Sequence, residues 1–229
     1  MQLLENAILE RGRVKDGDVL KVDAFLNHQM DVTLINELGK EFFRRFGDQG
    51  VTKILTIEAS GIGIACITAQ HFGVPVVFAK KTQSRNIDGE VLTSQVTSFT
   101  HQRNYDIIVS ARFLDPSDRV LLIDDFLAKG SAMLGLISLV RQSGAQIVGA
   151  GICIEKGFDV GGEAIRKLGI HVESLAVIKE MRDGHVCFDH ELEPAEQNPS
   201  GQITGICPLL LASSRSKQPV LRVFFAVQT

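Results

Sequence analysis

Residues 53–79 constrain the fold of this chain more than any other stretch. The run Lys53-Ile-Leu-Thr-Ile-Glu58 predicts a buried strand, a turn of small residues at 59–63 leads into a helix that ends at Gly73, and Pro75-Val-Val-Phe-Ala79 predicts a second strand. Two buried strands joined by a helix need a right-handed crossover, so they lie parallel in one sheet. The sequence therefore predicts an α/β protein.

The same alternation continues through the second half of the chain. The spacing predicts strands at 106–109, 119–123, 146–154 and 171–177, and helices at 130–142 and 162–168. Residues 91–100 predict an antiparallel excursion, and Asp183-Gly184 predicts a hairpin turn. These elements extend the parallel sheet well beyond its first two strands.

The N-terminal part of the chain carries its own pattern. From Asp31, a good N-cap, apolar residues recur at helical spacing up to Gly47 and predict an amphipathic helix. A short helix is predicted at 3–8, with Gly12 as its left-handed C-cap, and a brief strand at 19–22.

Composition excludes several classes of protein. The 229 residues carry a net charge of −3, which gives no positive field for nucleic acid or anionic lipid. No apolar run reaches the length of a membrane span, and the N-terminus lacks the basic and apolar regions of a signal peptide. Four scattered cysteines, Cys66, Cys153, Cys187 and Cys207, predict free thiols, buried in the case of the first two. We therefore expect a soluble cytoplasmic protein.

The composition changes near residue 194. Four of the six prolines lie from Pro194 onward, and no Asp or Glu follows Glu196. We expect a single domain at 1–193, followed by an atypical and poorly ordered extension at 194–229.

The chemistry is concentrated at 120–132. A buried strand ends in the adjacent acids Asp124 and Asp125, and a loop of small residues then opens a helix. Backbone amides there can hold a phosphate at the helix N-terminus, while the carboxylates suit ribose hydroxyls or Mg²⁺. The pattern predicts a sugar-phosphate site. The alternative is that the two acids only cap the helix and solvate the end of the strand.

This segment resembles the phosphoribosyl-diphosphate motif of the type I phosphoribosyltransferases, although Phe126 and Lys129 depart from its commonest form. With Val19-Leu-Lys-Val-Asp-Ala-Phe-Leu-Asn-His-Gln29 and Ile154-Glu-Lys-Gly-Phe158, the resemblance extends to the bacterial xanthine phosphoribosyltransferases over residues 1–190. It implies the type I fold with a hood over the base, built from 1–30 and 156–190, a homodimer, and Mg²⁺ bound mainly through the substrate.

The resemblance also implies roles for individual residues. Asp124 and Asp125 would position the ribose and indirectly the metal. Contacts to the base would come from Leu20, Asn27 and Lys156, and contacts to the 5-phosphate from Ala128, Lys129, Gly130, Ser131 and Ala132.

Two of the base contacts have plain alternatives. Lys156 follows a buried strand, and its ammonium can donate to a purine carbonyl, or it can be a solvated lysine paired with Glu155. Asn27 can donate to and accept from the base edge, or it can be a turn residue. Phe158 can stack on a purine or belong to the core.

A second strand-end loop has the residues to hold a diphosphate. Its candidates are Glu58, Ala59, Ser60 and Gly61, with charge from Lys81. A tight strand-to-helix connection is the alternative. Cys66 stands where a dinucleotide fingerprint needs its third glycine, so NAD binding is disfavoured.

The expected activity is transfer of ribose 5-phosphate from 5-phosphoribosyl 1-diphosphate to N9 of xanthine. The polar residues 81–102 are the candidate lid over this reaction. One alternative is a hypoxanthine or guanine phosphoribosyltransferase, and the other is a purine-responsive regulator of the same fold without turnover. The slightly acidic balance disfavours the regulator, which needs a nucleic-acid surface.

Overall fold

The computed structural model describes residues 1–15, 19–81, 89–98, 103–182 and 184–189. Its helices are α1 (Gln2–Arg11), α2 (Val32–Phe46), α3 (Ser60–Phe72), α4 (Ser131–Ser143) and α5 (Gly161–Lys167), with a π-helical turn at Asp23–Asn27 and 3₁₀ turns at Gly47–Gln49 and Ala111–Phe113. Its strands are β1 (Arg13–Lys15), β2 (Val19–Lys21), β3 (Lys53–Ile57), β4 (Val76–Ala79), β5 (Val91–Ser98), β6 (Arg103–Ser110), β7 (Arg119–Leu127), β8 (Gln146–Lys156), β9 (Val172–Arg182) and β10 (His185–Phe188).

Six strands form the central sheet in the order β10-β9-β8-β7-β3-β4. All neighbours pair in parallel except β10, which folds back antiparallel on β9 across the predicted Gly184 turn. The chain leaves β3 toward β4 on one side and later returns to add β7 on the other. The direction of winding therefore reverses between β3 and β7, which is where open α/β sheets bind ligands.

Apolar side chains cover both faces of this sheet. On β7, Leu121 and Ile123 pack into one cluster, whereas Val120 and Leu122 pack into the other, as the alternation of a strand requires. The first cluster includes α1, α2 and α3, and the second includes α4 with the β5–β6 hairpin. The predicted α/β architecture is confirmed.

The amphipathic helix α2 forms as predicted. The Asp31 carboxylate accepts a hydrogen bond from the backbone N–H of Leu34 at 3.1 Å, so it caps the first turn. The apolar positions Ile35, Leu38, Phe42 and Phe46 are fully buried. Burial of each such side chain contributes about 1.5–3 kcal/mol, which fixes this face of the helix on the sheet.

Residues 106–109 were predicted to continue the α/β alternation, but β6 lies outside the central sheet. It pairs antiparallel with β5 from Val91↔Ser110 to Ser98↔Arg103, and its link to the sheet side is the bridge between Lys80 and Ile108. The antiparallel excursion predicted at 91–100 therefore extends into its partner strand. The candidate lid lies partly in this hairpin, and its residues 82–88 and 99–102 are outside the described residues.

Three local predictions are wrong. Gly12 has an extended backbone rather than a left-handed one, so the chain passes directly from α1 into β1. The turn predicted at 59–63 is mostly helix, because α3 begins at Ser60. The strand predicted to stop at Ile123 continues to Leu127, because β8 is long enough to pair with it there.

The cysteines also differ from the prediction. Cys153 is a buried free thiol as expected, but Cys66 is free and exposed, and Cys187 is disulfide-bonded. Cys207 and the whole predicted extension at 194–229 lie outside the described residues. No helix in the described part of the chain is long and apolar enough to span a membrane.

Candidate active site

The two adjacent acids lie in the part of β7 that is no longer paired with its neighbour β3. Pairing between β3 and β7 ends at Leu122, whereas pairing between β7 and β8 continues to Leu127. Asp124 and Asp125 are therefore inside a strand but beyond its last pairing with β3, at the reversal point of the sheet. Both residues are buried, with 5% and 8% of their surface exposed.

The two carboxylates have different surroundings. Asp125 accepts a hydrogen bond at 3.1 Å from the side-chain amide of Asn27, at the end of the π-helical turn. The Asp124 carboxylate accepts the backbone N–H of Asp125 at 3.0 Å. Burial, and next the charge of Asp125, raise the pKa of Asp124 well above its ordinary value, while Lys81 opposes the shift. A carboxyl group perturbed in this way, at a crevice in the sheet, is typical of functional sites.

Residues 128–132 run from the end of β7 into the first turn of α4, and they are called the loop at 128–132. Gly130 stands directly before α4 and has φ +81°. A residue with an L side chain would be strained in this left-handed conformation. No side chain caps α4, as far as the described residues go, so its N-terminus is open in the sense that the N–H groups of the first turn have no capping side chain. The helix is 13 residues long, and its N-terminus suits an anion. Lys129 is half-exposed beside this loop, with its ammonium 3.8 Å from Asp159.

The loop after β3 lies at the same edge of the sheet. The Glu58 carboxylate accepts the backbone N–H of Lys81 at 2.5 Å, which joins the ends of β3 and β4. The peptide bond between Glu58 and Ala59 is cis, and α3 starts at Ser60, also without a side-chain cap from a described residue. Gly61 is buried in the first turn of α3. The predicted diphosphate candidates therefore sit at a second open helix N-terminus next to the two acids.

Lys81 and Tyr105 complete this side of the site. The Lys81 ammonium lies 5.7 Å from the centre of the Tyr105 ring. Burial, and next the charge of Asp124, raise the pKa of Tyr105. Tyr105 was missed in the sequence. A signal was available, because it is the single tyrosine in a chain with 13 phenylalanines.

The predicted base contacts lie in two parts of the predicted hood. Leu20, on β2, is buried and lines a cavity of about 210 Å³ with residues from α1 and the β9–β10 turn. Lys156 ends β8, and its ammonium lies 6.0 Å from the centre of the half-exposed Phe158 ring. Among the predicted base contacts, Asn27 contacts the acid pair through its hydrogen bond to Asp125.

Glu155 is the partner named in the alternative for Lys156, and the structure describes its surroundings. Its carboxylate is engaged by the Arg166 guanidinium at 2.6 and 2.8 Å and by the Ser174 hydroxyl. Burial alone raises the pKa of Glu155, but these hydrogen bonds outweigh it and the net shift is downward. Sequence inspection missed Arg166 and Ser174, because neither lies next to Glu155 along the chain.

The arrangement offers few groups to a metal ion. No cluster of three or more His, Cys, Asp or Glu side chains suited to a metal occurs within the described ranges. Asp124 and Asp125 are the acids that face the crevice, so a hard cation there would take most of its oxygen ligands from a substrate.

Comparison with known proteins identifies the class. The family model for the phosphoribosyl transferase domain matches residues 21–179, which include the acids, both loops and Lys156. The chain belongs to the phosphoribosyltransferase family.

Similar proteins carry a more specific name. The chain is 65% identical over 190 residues to a xanthine phosphoribosyltransferase of Lachnoclostridium phytofermentans, an alignment that covers 82% of this chain and 98% of the relative. A xanthine phosphoribosyltransferase of Ruminiclostridium cellulolyticum is 57% identical over 188 residues, covering 82% of this chain and 99% of the relative.

Solved structures agree on the fold. An APRTase from Giardia lamblia, complexed with 9-deazaadenine, aligns with TM-score 0.67 at 23% identity and covers 78% of this chain and 98% of that one. An adenine phosphoribosyl transferase from Trypanosoma brucei aligns with TM-score 0.65 at 19% identity, covering 92% and 91%. The predicted type I phosphoribosyltransferase fold is confirmed.

Proposed function

We propose that this protein is a xanthine phosphoribosyltransferase of purine salvage. It transfers ribose 5-phosphate from 5-phosphoribosyl 1-diphosphate to N9 of xanthine and releases xanthosine 5′-monophosphate and diphosphate. The observation that carries this proposal is the placement of two buried acids between two open helix N-termini at the reversal point of the sheet. Identities of 65% and 57% to xanthine phosphoribosyltransferases support xanthine as the base.

The N-terminus of α4 binds the 5-phosphate of the donor, and the N-terminus of α3 binds its diphosphate. Backbone amides of residues 128–132, with the Ser131 hydroxyl, hold the 5-phosphate at the start of α4, and Lys129 adds charge. Residues 58–61 and Lys81 hold the diphosphate at the start of α3. Asp124 and Asp125 then face the ribose hydroxyls between these anchors. Fixing both ends of the donor aligns its C1 for attack, which supplies much of the rate enhancement in a reaction without a covalent nucleophile.

The base is held by the hood. Lys156 donates to a purine carbonyl oxygen, Asn27 pairs with the base edge and Leu20 forms part of the apolar wall. The bond between C1 and the diphosphate oxygen breaks, the bond between C1 and N9 forms, and the proton of N9 is released to solvent. Positive charge develops on the sugar in between, and the carboxylates of Asp124 and Asp125 are placed to stabilise it.

The proposal includes Mg²⁺ as the cofactor, bound mainly through the donor. The ion would neutralise charge on the departing diphosphate. Asp124 and Asp125 are the residues that would hold it, indirectly, and their hard oxygen atoms suit this cation. A homodimer in the cytoplasm, without nucleic acid or membrane as partner, is also part of the proposal, on the strength of the resemblance and the net charge of −3.

A spectrophotometric assay tests the function. Purified protein is given the donor and Mg²⁺ with xanthine, guanine or hypoxanthine in turn, and kcat/KM is compared among the three bases. We expect the highest value with xanthine. A higher value with guanine or hypoxanthine would make the protein a different 6-oxopurine enzyme. Tight binding of the donor without turnover of any base would make it a regulator.

A further inference from the structure

An ion pair between a buried carboxylate and an exposed guanidinium lies behind residues 128–132, the phosphate loop of the proposed function. Glu155, on β8, is 4% exposed, and both of its carboxylate oxygens accept hydrogen bonds from Arg166, at 2.6 and 2.8 Å. The Ser174 hydroxyl on β9 donates to the same carboxylate. Arg166 belongs to α5, so its bonds to Glu155 connect this short helix to strands β8 and β9 of the sheet.

The pair packs against the backbone of α5 at its first turn. A Cβ atom added at Gly162 would lie 1.9 Å from Oε1 of Glu155 and 2.6 Å from Nη1 of Arg166. The ion pair therefore occupies the space that any larger residue at 162 would need. Its position fixes how closely α5 approaches β8.

The preceding residue touches the phosphate loop itself. The N–H of Gly161 donates to the carbonyl of Ala128 at 2.9 Å. A Cβ at Gly161 would lie 2.2 Å from that carbonyl oxygen and 2.6 Å from the backbone nitrogen of Gly130. The two backbones are in direct contact, so a displacement of α5 is transmitted to residues 128–130 without a side chain to absorb it.

We infer that Glu155 and Arg166 are positioning residues for the donor: through Gly161 and Gly162 they hold the loop at 128–132 in the geometry that binds the ribose 5-phosphate group. This inference rests on the proposed function of that loop. It assigns the ion pair to the phosphoribosyl donor rather than to the base, because the contacts through Gly162 and Gly161 lead to the phosphate loop.

The neighbouring Lys156 makes the assignment testable. It follows Glu155 directly, so a simple disturbance of the end of β8 would affect the base contact at least as much as the phosphate loop. Successive side chains of a strand project to opposite faces, and Glu155 projects toward Arg166 and Ser174. Loss of the pair should therefore raise KM for the phosphoribosyl donor and leave KM for xanthine nearly unchanged.

Arg166→Met removes the pair, and Glu163→Gln is the matched control. Glu163 forms an ion pair with Lys167 on the same helix, but both side chains are exposed, at 69% and 72%. We expect Arg166→Met to raise KM for the donor, and Kd for ribose 5-phosphate in calorimetry, by about tenfold to a hundredfold, the effect of losing one hydrogen bond to a charged phosphate. KM for xanthine should change less than about twofold. Arg166→Lys, which keeps the charge without the two-pronged geometry, should give an intermediate value.

Two further variants keep the inference testable if Arg166→Met unfolds. Gly161→Ala adds a methyl group that pushes directly against the carbonyl of Ala128 in the loop. It should likewise raise KM for the donor and leave KM for xanthine nearly unchanged. Glu155→Gln combined with Arg166→Met leaves no unpaired buried charge and should fold while still raising KM for the donor.

The outcomes separate the two claims. Equal rises in both KM values, a rise for xanthine alone, or a lowered Tm with both KM values unchanged would overturn the inference. Failure of the wild-type protein to transfer to any base would refute the proposed function, and the ribose 5-phosphate calorimetry would still decide whether the ion pair positions the loop.

Discussion

Replacement of Asp125 by Asn separates a catalytic role for the acid pair from a structural one. The new side chain keeps the size of the old one, and its carbonyl oxygen can still accept the hydrogen bond that Asn27 donates at 3.1 Å. A hydrogen bond to a charged group contributes about 1.5–3 kcal/mol and a neutral one about 0.5–1.5 kcal/mol, so the exchange costs about 1 kcal/mol.

A second effect has the opposite sign. The Asp125 charge is one of the causes that raise the pKa of the buried Asp124, so its removal relieves a repulsion between the two carboxylates. The two contributions partly cancel. We expect the free energy of unfolding to change by less than about 1 kcal/mol and Tm to move by no more than about 4 °C.

Turnover should respond far more strongly. Loss of one pre-organised electrostatic contact to a developing charge costs about 10²–10³ in kcat. The assay is kcat with xanthine at saturating donor, measured beside thermal unfolding of the same preparations. Asp106→Asn, at an exposed position of β6, is the control and should leave both values unchanged. An unchanged kcat with a lowered Tm would refute the catalytic assignment and support the acids as a structural cap.

Three other expectations follow from the site and the sequence. Lys156→Ala should raise KM for xanthine much more than KM for the donor, and equal rises in steady-state kinetics would place this lysine outside the base pocket. Asp124→Asn should raise Tm by an amount that grows as the pH rises above about 4. The folded pKa of Asp124 lies above its ordinary value of 3.8, so the wild type loses stability as rising pH ionises this group, and the variant does not. A Tm difference independent of pH would contradict this reasoning. Truncation after Glu193 should leave kcat and both KM values nearly unchanged and improve solubility; a folded truncated protein without activity would place the tail in the active site.

The elements that could be predicted from the sequence are those fixed by local physics. The helix α2 has its capping Asp31 and its apolar spacing within the same stretch of chain, so its position follows from neighbouring residues alone. The acids, the loop with Gly130 and the start of α4 are likewise contiguous. A sugar-phosphate site can therefore be predicted from these residues before any tertiary contact is known.

Tertiary structure decided the contacts between residues that are distant along the chain. Asn27 and Asp125 are 98 residues apart, and their hydrogen bond exists because the π-helical turn packs over the reversal point of the sheet. Local patterns record backbone preference and burial, and they do not specify which strand lies beside which. The sequence at 106–109 could therefore predict a strand. It could not predict that this strand, β6, lies outside the central sheet and pairs with β5. The contact of Gly161 with Ala128 is of the same kind, because it depends on how closely α5 approaches a residue 33 positions earlier, and only the packed molecule sets that distance.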